Sequence, residues 1–271
     1  MFIRLLRTSG LVLLTGCATG TFVGRAPGRY AQTTDSASSA CLRNPACHTV
    51  MPGEEAVIPW LTRTSVRAVE TTVTLAVMLQ GAEIKLVEQA LADCARQADV
   101  QANQEDEELA GKEPTREQCR KVVRRDGDTE VTRAMELGTW KHDLALECVR
   151  KRLGQQYSDY LRVEPTYQKE PGTGLWRLID PKRVEEWLRD GLRSQLWGAL
   201  KPDVVIHASG NPNDIQRIYD FKFPCPADNP PAWRRYSRTH PYYPKDQEEM
   251  YTTLLGGKHK PNPVTPKGVQ E

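Results

Sequence analysis

The sequence predicts an α/β or α+β fold, in which a helical N-terminal region is followed by a small mixed sheet flanked by helices. Two observations in the C-terminal half predict this fold. Apolar residues recur at helical spacing over residues 136–154 and again over residues 181–196. Two β-rich runs, residues 201–208 and 215–223, then flank the turn sequence SGNPND, and a short helix at 245–257 follows a proline-rich loop. Helices and strands in this order are typical of a domain that packs helices on a small sheet.

The two longer helices carry end signals. In the first, Leu144, Val149 and Leu153 share one side, and Gly154 marks the end. In the second, Asp180 is placed to cap the N-terminus, and a proline follows at the first helical position. A short turn joins the two β-rich runs, so we expect them to pair as antiparallel neighbours.

The N-terminal region is also predicted to be helical. Apolar residues recur at helical spacing over residues 62–104, with Glu70 and Glu88 among the charges between them. These charges favour a presenting helix or a helical hairpin over a membrane-active segment. The acidic stretch NQEDEELAGKEP indicates a domain boundary near residues 104–130. The helical delivery or presentation region is therefore assigned to residues 61–129.

The first residues have the pattern of an export signal. Arg4 and Arg7 precede a short apolar run that ends in the sequence LTGC at Cys17. This ending resembles the lipobox of bacterial lipoproteins, in which the cysteine is lipidated and becomes the first mature residue. The resemblance implies a signal peptide over residues 1–16 and a lipidated flexible tether over residues 17–60. Because alanine rather than aspartate follows the cysteine, the outer membrane is the expected destination, and acyl chains would attach the protein without spanning it.

Loss of the signal peptide removes two arginines and no acid, so the formal net charge of +2 becomes zero. A chain without net charge has no strong long-range field that would steer it towards nucleic acid. Any nucleic-acid surface must therefore be local.

Six cysteines follow the lipidation site, and an even number in an exported chain permits three disulfides. Only Cys41 and Cys47 are close enough in sequence to suggest a pair, and the lack of a CxxC pair disfavours a zinc ribbon. Cys148 and Cys225 flank the candidate site described below. They are either buried thiols or a disulfide that opens in a reducing compartment.

The second β-rich run, IQRIYDFKFPCP, places Asp220 and Lys222 on one face of a strand. Asp203 in the preceding run is expected beside Asp220. Two close carboxylates repel each other unless a cation lies between them, and Mg²⁺ prefers carboxylate and carbonyl oxygens. We therefore expect a Mg²⁺ or Mn²⁺ site at which Lys222 orients a water. The alternative is a surface hairpin with a solvated ion pair.

These motifs carry a family resemblance. The sequence PD at Asp203, followed across a hairpin by DFK at residues 220–222, resembles the PD-(D/E)XK nuclease superfamily. The stretch QEEMY, from Gln247 to Tyr251, resembles the QxxxY element of some of its branches. The resemblance implies a restriction-endonuclease-like αβββαβ core over residues 130–257, which hydrolyses phosphodiesters with magnesium.

The resemblance implies a metal site. Asp203 and Asp220, together with the carbonyl of Phe221, would hold the metal ion, and Lys222 would position the attacking water.

The resemblance also implies supporting residues. A glutamate on the helix before the hairpin often completes the site, and Glu147 is the assigned residue, with Asp143 and Glu136 left open. Gln247 and Tyr251 are one helical turn apart and would support the site or contact the nucleic acid.

The loop NPPAWRRYSRTHPYYP mixes basic and aromatic residues. Arg234 and Arg235 are expected to contact phosphates, and the aromatic rings to stack on bases. The alternative is a rigid loop that packs on the core. Beyond the short helix, residues 258–271 contain three prolines and are predicted to be a loose C-terminal tail.

The whole architecture, a lipid anchor ahead of a nuclease domain, resembles the SitA-type polymorphic lipoprotein toxins of myxobacteria. The resemblance implies a toxin that passes between cells through outer-membrane exchange machinery and cleaves DNA in the cytoplasm of the recipient. A cognate immunity protein would neutralise it. Two alternatives stay open: a non-catalytic outer-membrane lipoprotein that binds a protein partner, and a metal-dependent ribonuclease on the same scaffold.

Overall fold

The computed structural model describes residues 77–127 and 129–270. The predicted signal peptide, the lipidation site at Cys17, the tether and the first part of the helical region lie outside the described residues. Within the described ranges, no helix is both long enough and apolar enough to cross a membrane.

The described chain has a mixed α and β fold with a small mixed sheet, which confirms the predicted fold class. The helices are α1 Gly81–Glu105, α2 Arg116–Arg120, α3 Arg133–Leu153, α4 Pro181–Arg189 and α5 Gln247–Leu254, with a 3-10 helix at Arg193–Leu196. The strands are β1 Val122–Asp126, β2 Thr129–Thr132, β3 Leu161–Val163, β4 Tyr167–Lys169, β5 Trp176–Leu178, β6 Val204–Ala208, β7 Asn211–Phe221, β8 Asn262–Thr265 and β9 Gly268–Val269. The helix predicted over residues 181–196 ends early because the chain turns at Gly191, whose φ is 75°.

The central sheet has five strands in the order β3-β6-β7-β8-β9. The predicted hairpin is confirmed, since β6 and β7 pair antiparallel with Val204 opposite Tyr219. Strand β3 pairs antiparallel with β6, and β8 pairs parallel with β7. Along the chain, α3, β3, β6, β7, α5 and β8 follow one another in the order αβββαβ, and β4, β5 and α4 are inserted between β3 and β6.

The prediction of a loose tail over residues 258–271 is wrong. Strand β8 lies between β7 and β9, and Val264 is fully buried. The Lys222 N–H donates to the Val264 carbonyl at 2.8 Å, so the tail continues the sheet directly beside the DFK sequence. The parallel partner of β8 is β7, which comes from a distant part of the chain. The local sequence, with its prolines, therefore suggested a loose tail and did not indicate a strand.

Two hydrophobic layers cover the two faces of the sheet. On one face, α1 and α3 pack on residues that include Val204, Ile206, Tyr219, Phe221 and Val264. On the other face lie α5, the loop before it and the β4–β5 hairpin, which together bury Tyr167, Val205, Ile218, Met250 and Tyr251. Each of these large apolar side chains contributes about 1.5–3 kcal/mol by leaving water. The sheet is thereby held between helices on both sides, and Asp203, Asp220 and Lys222 lie at one end of its central strands.

Helix α1 belongs to the same core as the C-terminal half, which corrects the predicted boundary between residues 61–129 and 130–257. Val87 and Leu91 of α1 are fully buried, and they lie in one hydrophobic cluster with Val149 of α3. The periodicity of α1 predicted an apolar face, but it did not indicate which surface that face would cover.

Two disulfides join segments that are far apart in the sequence. Cys94 of α1 pairs with Cys148 of α3, with 5.5 Å between their Cα atoms, and Cys119 of α2 pairs with Cys225, with 5.7 Å. The considered pairing of Cys148 with Cys225 is therefore wrong. Connectivity depends on which chain segments pack together, and cysteine spacing does not show this.

We expect the double replacement Cys119→Ser/Cys225→Ser to lower the free energy of unfolding by about 2–5 kcal/mol, because this disulfide closes a long loop in the unfolded chain. The measurement is urea denaturation of the oxidised protein. Asp228→Asn is the matched control, since it removes only an exposed 3.7 Å ion pair with Arg116 between the same two segments. It should change the free energy by less than about 0.5 kcal/mol. An unchanged urea midpoint in the double variant would contradict the expectation.

Candidate active site

Asp203 and Asp220 lie together at the end of the β6–β7 pair. Asp203 directly precedes β6, and its Oδ2 accepts a hydrogen bond of 2.7 Å from the N–H of Phe221. Asp220 lies on β7, directly before Phe221. The side chains are buried, since Asp203 is 1% exposed and Asp220 is 2% exposed. The antiparallel register thus brings together the two carboxylates that the sequence singled out.

Lys222 and the QxxxY pair surround Asp220. The Lys222 ammonium lies 2.6 Å from Asp220 Oδ2 and donates to Gln247 Oε1 at 2.7 Å. The Gln247 amide nitrogen contacts Asp220 Oδ1 at 3.4 Å and the Tyr251 hydroxyl oxygen at 3.3 Å. The Tyr251 hydroxyl donates to the backbone carbonyl of Lys201 at 3.1 Å. One connected network therefore fixes the lysine and one of the two aspartates.

Trp233 covers the Lys222 side of the site. The Lys222 ammonium lies 4.6 Å from the centre of the Trp233 ring, a cation–π contact. The loop after Trp233 is held against the start of α5, because the Arg234 carbonyl accepts from the Gln247 N–H at 2.9 Å. The side chains of Arg234 and Arg235 are exposed. The loop therefore both packs on the core and presents two cations to solvent beside the catalytic candidates.

The helix α3 contributes His142 to this site, and not Glu147. Glu147 lies on the solvent face, where its side chain is 59% exposed and pairs with Lys151 at 2.6 Å. His142 is 1% exposed, and its Nε2 lies 2.9 Å from Asp203 Oδ1. The assignment of Glu147 fails because it is five positions from His142, which places the two on different faces of the helix.

The surroundings of Asp220 perturb its ionisation. Burial and the nearby charge of Asp203 raise the pKa of Asp220 to about 6, against the opposing effects of Lys222 and His142. Burial by itself would lower the pKa of His142, but the carboxylates of Asp203 and Asp143 outweigh it and raise that pKa to about 10. The site is thus a compact cluster of opposite charges.

A second buried charge cluster, which was not predicted, lies behind Asp203. Glu164, directly after β3, is paired with Lys201 at 2.5 Å and with Arg150 at 2.5 Å. Burial would raise the pKa of Glu164, but Lys201 and Arg150 outweigh it and lower the pKa to about 2.

Of the two missed residues, only His142 had a signal in the sequence. It lies in register with Ala145, Leu146 and Val149 on the buried stripe of α3, where a polar residue is uncommon. Glu164 is a single acid between a strand and Pro165, and its partners come from distant elements. No local pattern indicates such a residue.

The chemistry of the donors at Asp203 and Asp220 fits a hard divalent cation. Both supply carboxylate oxygens, and their mutual repulsion, which contributes to the raised pKa of Asp220, is what such a cation relieves. In the structure these oxygens are engaged by Phe221, Lys222, Gln247 and His142. Over the part of the chain that is described, three His, Cys, Asp or Glu side chains are nowhere arranged as a metal-binding group.

Comparison with models of known protein families, with curated proteins and with solved structures finds no match to this chain.

Proposed function

We propose that the protein is a metal-dependent nuclease of the PD-(D/E)XK type. The observation that carries the proposal is the convergence of Asp203, Asp220 and Lys222 at the end of two adjacent strands, with Gln247 contacting both Asp220 and Lys222. The order αβββαβ of the elements around this cluster also supports it. A solvated surface ion pair does not account for carboxylates that are almost completely buried.

Each side chain has a role that follows from its contacts. Asp203 and Asp220 would hold Mg²⁺ or Mn²⁺, with the carbonyl of Phe221 as a further oxygen donor, and a bound metal would supply Lewis-acid activation of the phosphodiester. Lys222 carries a positive charge 2.6 Å from Asp220, where it would position the attacking water and offset charge that develops on phosphate. His142 orients the Asp203 carboxylate from α3.

The loop over the site favours a nucleic-acid substrate. Arg234 and Arg235 are exposed on the segment that follows Trp233, and exposed arginines are suited to contact phosphates. Trp233 is a half-buried aromatic ring in the same loop, and aromatic rings are groups on which bases stack. We propose DNA as the substrate, and ribonucleic acid is the alternative that the experiment below separates.

The biological role follows from the sequence resemblances at both ends of the chain. We assign the protein to the lipoprotein toxins of the SitA type: Cys17 carries the lipid anchor in the outer membrane, and exchange machinery delivers the protein to a recipient cell. The nuclease then acts in the recipient's cytoplasm, and a cognate immunity protein protects the producer.

The test is cleavage of duplex DNA and of an RNA of the same sequence by the purified chain. We expect cleavage of DNA with Mg²⁺ or Mn²⁺ and none after removal of the metal with EDTA. Asp203→Asn should lower the rate by about 10²-fold, because a neutral amide holds the cation poorly. Glu147→Gln is the matched control on α3 and should retain the full rate.

Cleavage that survives EDTA, or that Asp203→Asn leaves unchanged, would overturn the proposal. If the chain cleaves RNA and not DNA, the proposed metal-dependent reaction stands, and the proposed substrate changes from DNA to RNA.

A further inference from the structure

Glu164 is a buried acid that makes two ion pairs. Its carboxylate bridges the Lys201 ammonium and the Arg150 guanidinium, each at 2.5 Å. The side chains of Glu164 and Lys201 are 5% and 2% exposed. A charged lysine is seldom buried this deeply unless it is paired. The bridge therefore holds the Lys201 side chain at one position.

The backbone of Glu164 is held in an uncommon conformation. Its φ is 53°, in the left-handed region that residues other than glycine rarely adopt. In this conformation its N–H donates to the backbone carbonyl of Asp203 at 2.8 Å. Such a conformation costs free energy and persists only where the surrounding contacts demand it.

Two contacts of Glu164 end on one short segment, residues 201–203, which carries the candidate metal ligand Asp203, and a third ends on Arg150 of α3. The Glu164 carboxylate holds the side chain of Lys201, and the Glu164 N–H holds the backbone carbonyl of Asp203. From the other side of the sheet, the Tyr251 hydroxyl donates to the Lys201 carbonyl. The segment is thus fixed from β3 and from α5 at once.

We infer that Glu164 is a positioning residue, which sets the place of the Asp203 carboxylate and thereby the affinity of the site for a divalent cation. The inference rests on the proposed function, because it takes Asp203 as a metal ligand. Residues that orient a ligand without touching the metal change metal affinity by about 10–100-fold when they are replaced.

The competing explanation is an ordinary buried ion pair that stabilises the fold and nothing else. It predicts that loss of the pair lowers stability and leaves the metal affinity unchanged. The pair between Arg133 and Asp106 provides a matched comparison, since the two side chains are 11% and 10% exposed and lie 2.5 Å apart. Asp106→Asn removes that pair without touching the segment 201–203.

The experiment measures binding of Mn²⁺ to the full chain by the electron paramagnetic resonance signal of the free ion, with folding checked by circular dichroism. Glu164→Gln keeps the shape of the side chain and removes its charge. We expect Glu164→Gln to weaken Mn²⁺ binding by about 10–100-fold. Asp106→Asn should bind Mn²⁺ as the wild type does, although it is less stable.

Two further variants keep the inference testable if Glu164→Gln does not fold. Glu164→Asp retains the charge and tolerates positive φ, but its carboxylate reaches less far, so we expect an intermediate loss of Mn²⁺ affinity. The double variant Glu164→Gln/Lys201→Met removes the buried cation that the single variant leaves unpaired. We expect its Mn²⁺ affinity to stay low even where its stability is restored.

The possible failures are distinguishable. Wild-type affinity in Glu164→Asp and Glu164→Gln, or recovery of affinity in the double variant, overturns the positioning role and leaves the proposed function standing. A wild-type chain that binds no Mn²⁺ overturns the proposed function, and the inference falls with it.

Discussion

Lys222→Met is expected to lower the rate of Mg²⁺-dependent cleavage by about 10³-fold and to leave the fold intact. The reason is that the Lys222 ammonium, only 13% exposed, is the cation 2.6 Å from Asp220 and is also hydrogen-bonded to Gln247. Methionine keeps much of the side-chain volume and removes the charge that, in the proposed mechanism, positions water and stabilises phosphate. The rate is measured under single-turnover conditions with saturating Mg²⁺.

Lys151→Met is the matched control for this prediction. The Lys151 side chain is 73% exposed and pairs only with Glu147 within the described residues, so its replacement should change the rate by less than twofold, in line with about 0.4 kcal/mol. A Lys222→Met variant that remains folded and cleaves within a few-fold of the wild type would remove Lys222 from the chemistry. If the folded variant still binds Mn²⁺, the loss of cleavage rate is due to the chemical step and not to loss of the metal.

Removal of residues 258–271 is expected to abolish cooperative unfolding. The truncation deletes β8 and β9, and it therefore removes Val264 from the core and the parallel partner from β7. It also leaves the Lys222 N–H without the Val264 carbonyl. The expected loss in the free energy of unfolding exceeds the total stability of a typical domain, about 5–15 kcal/mol, because two strands of the sheet and their buried contacts are lost together. Thermal and urea melts followed by circular dichroism measure it.

The control for the truncation lies within the same segment. Lys258→Ala changes an exposed side chain and should leave the melting temperature unchanged. Val264→Asp puts a charge at a fully buried position, and we expect it to reproduce the truncation. A truncated chain that unfolds cooperatively at the wild-type temperature would contradict the role assigned to β8.

The sequence predicted the hairpin and its two aspartates because the relevant pattern is local. A strand, a short turn and a second strand lie next to each other along the chain, and strand alternation then decides which side chains share a face. Gln247 and Tyr251 could be placed for the same reason, since one helical turn brings them to one side of α5. The coarse α and β composition follows from periodicity alone.

The rest depends on contacts between distant segments. The parallel pairing of β8, the docking of α1 and the partners of Glu164 are each set by packing that no short window contains. The assignment of Glu147 failed for a different reason. An acid was expected on α3, although the buried stripe of that helix carries the histidine and the acid faces solvent.

The two disulfides overlap in sequence, since Cys119 lies inside the loop that Cys94 and Cys148 close, and its own bond reaches Cys225. A chain linked in this way cannot be drawn out into one extended polypeptide. If it is pulled from either terminus, the residues between Cys94 and Cys225 stay cross-linked, and several segments of the chain must pass side by side. A channel that is only wide enough for one extended polypeptide therefore cannot pass these cross-linked segments until a thiol reductant opens both disulfides.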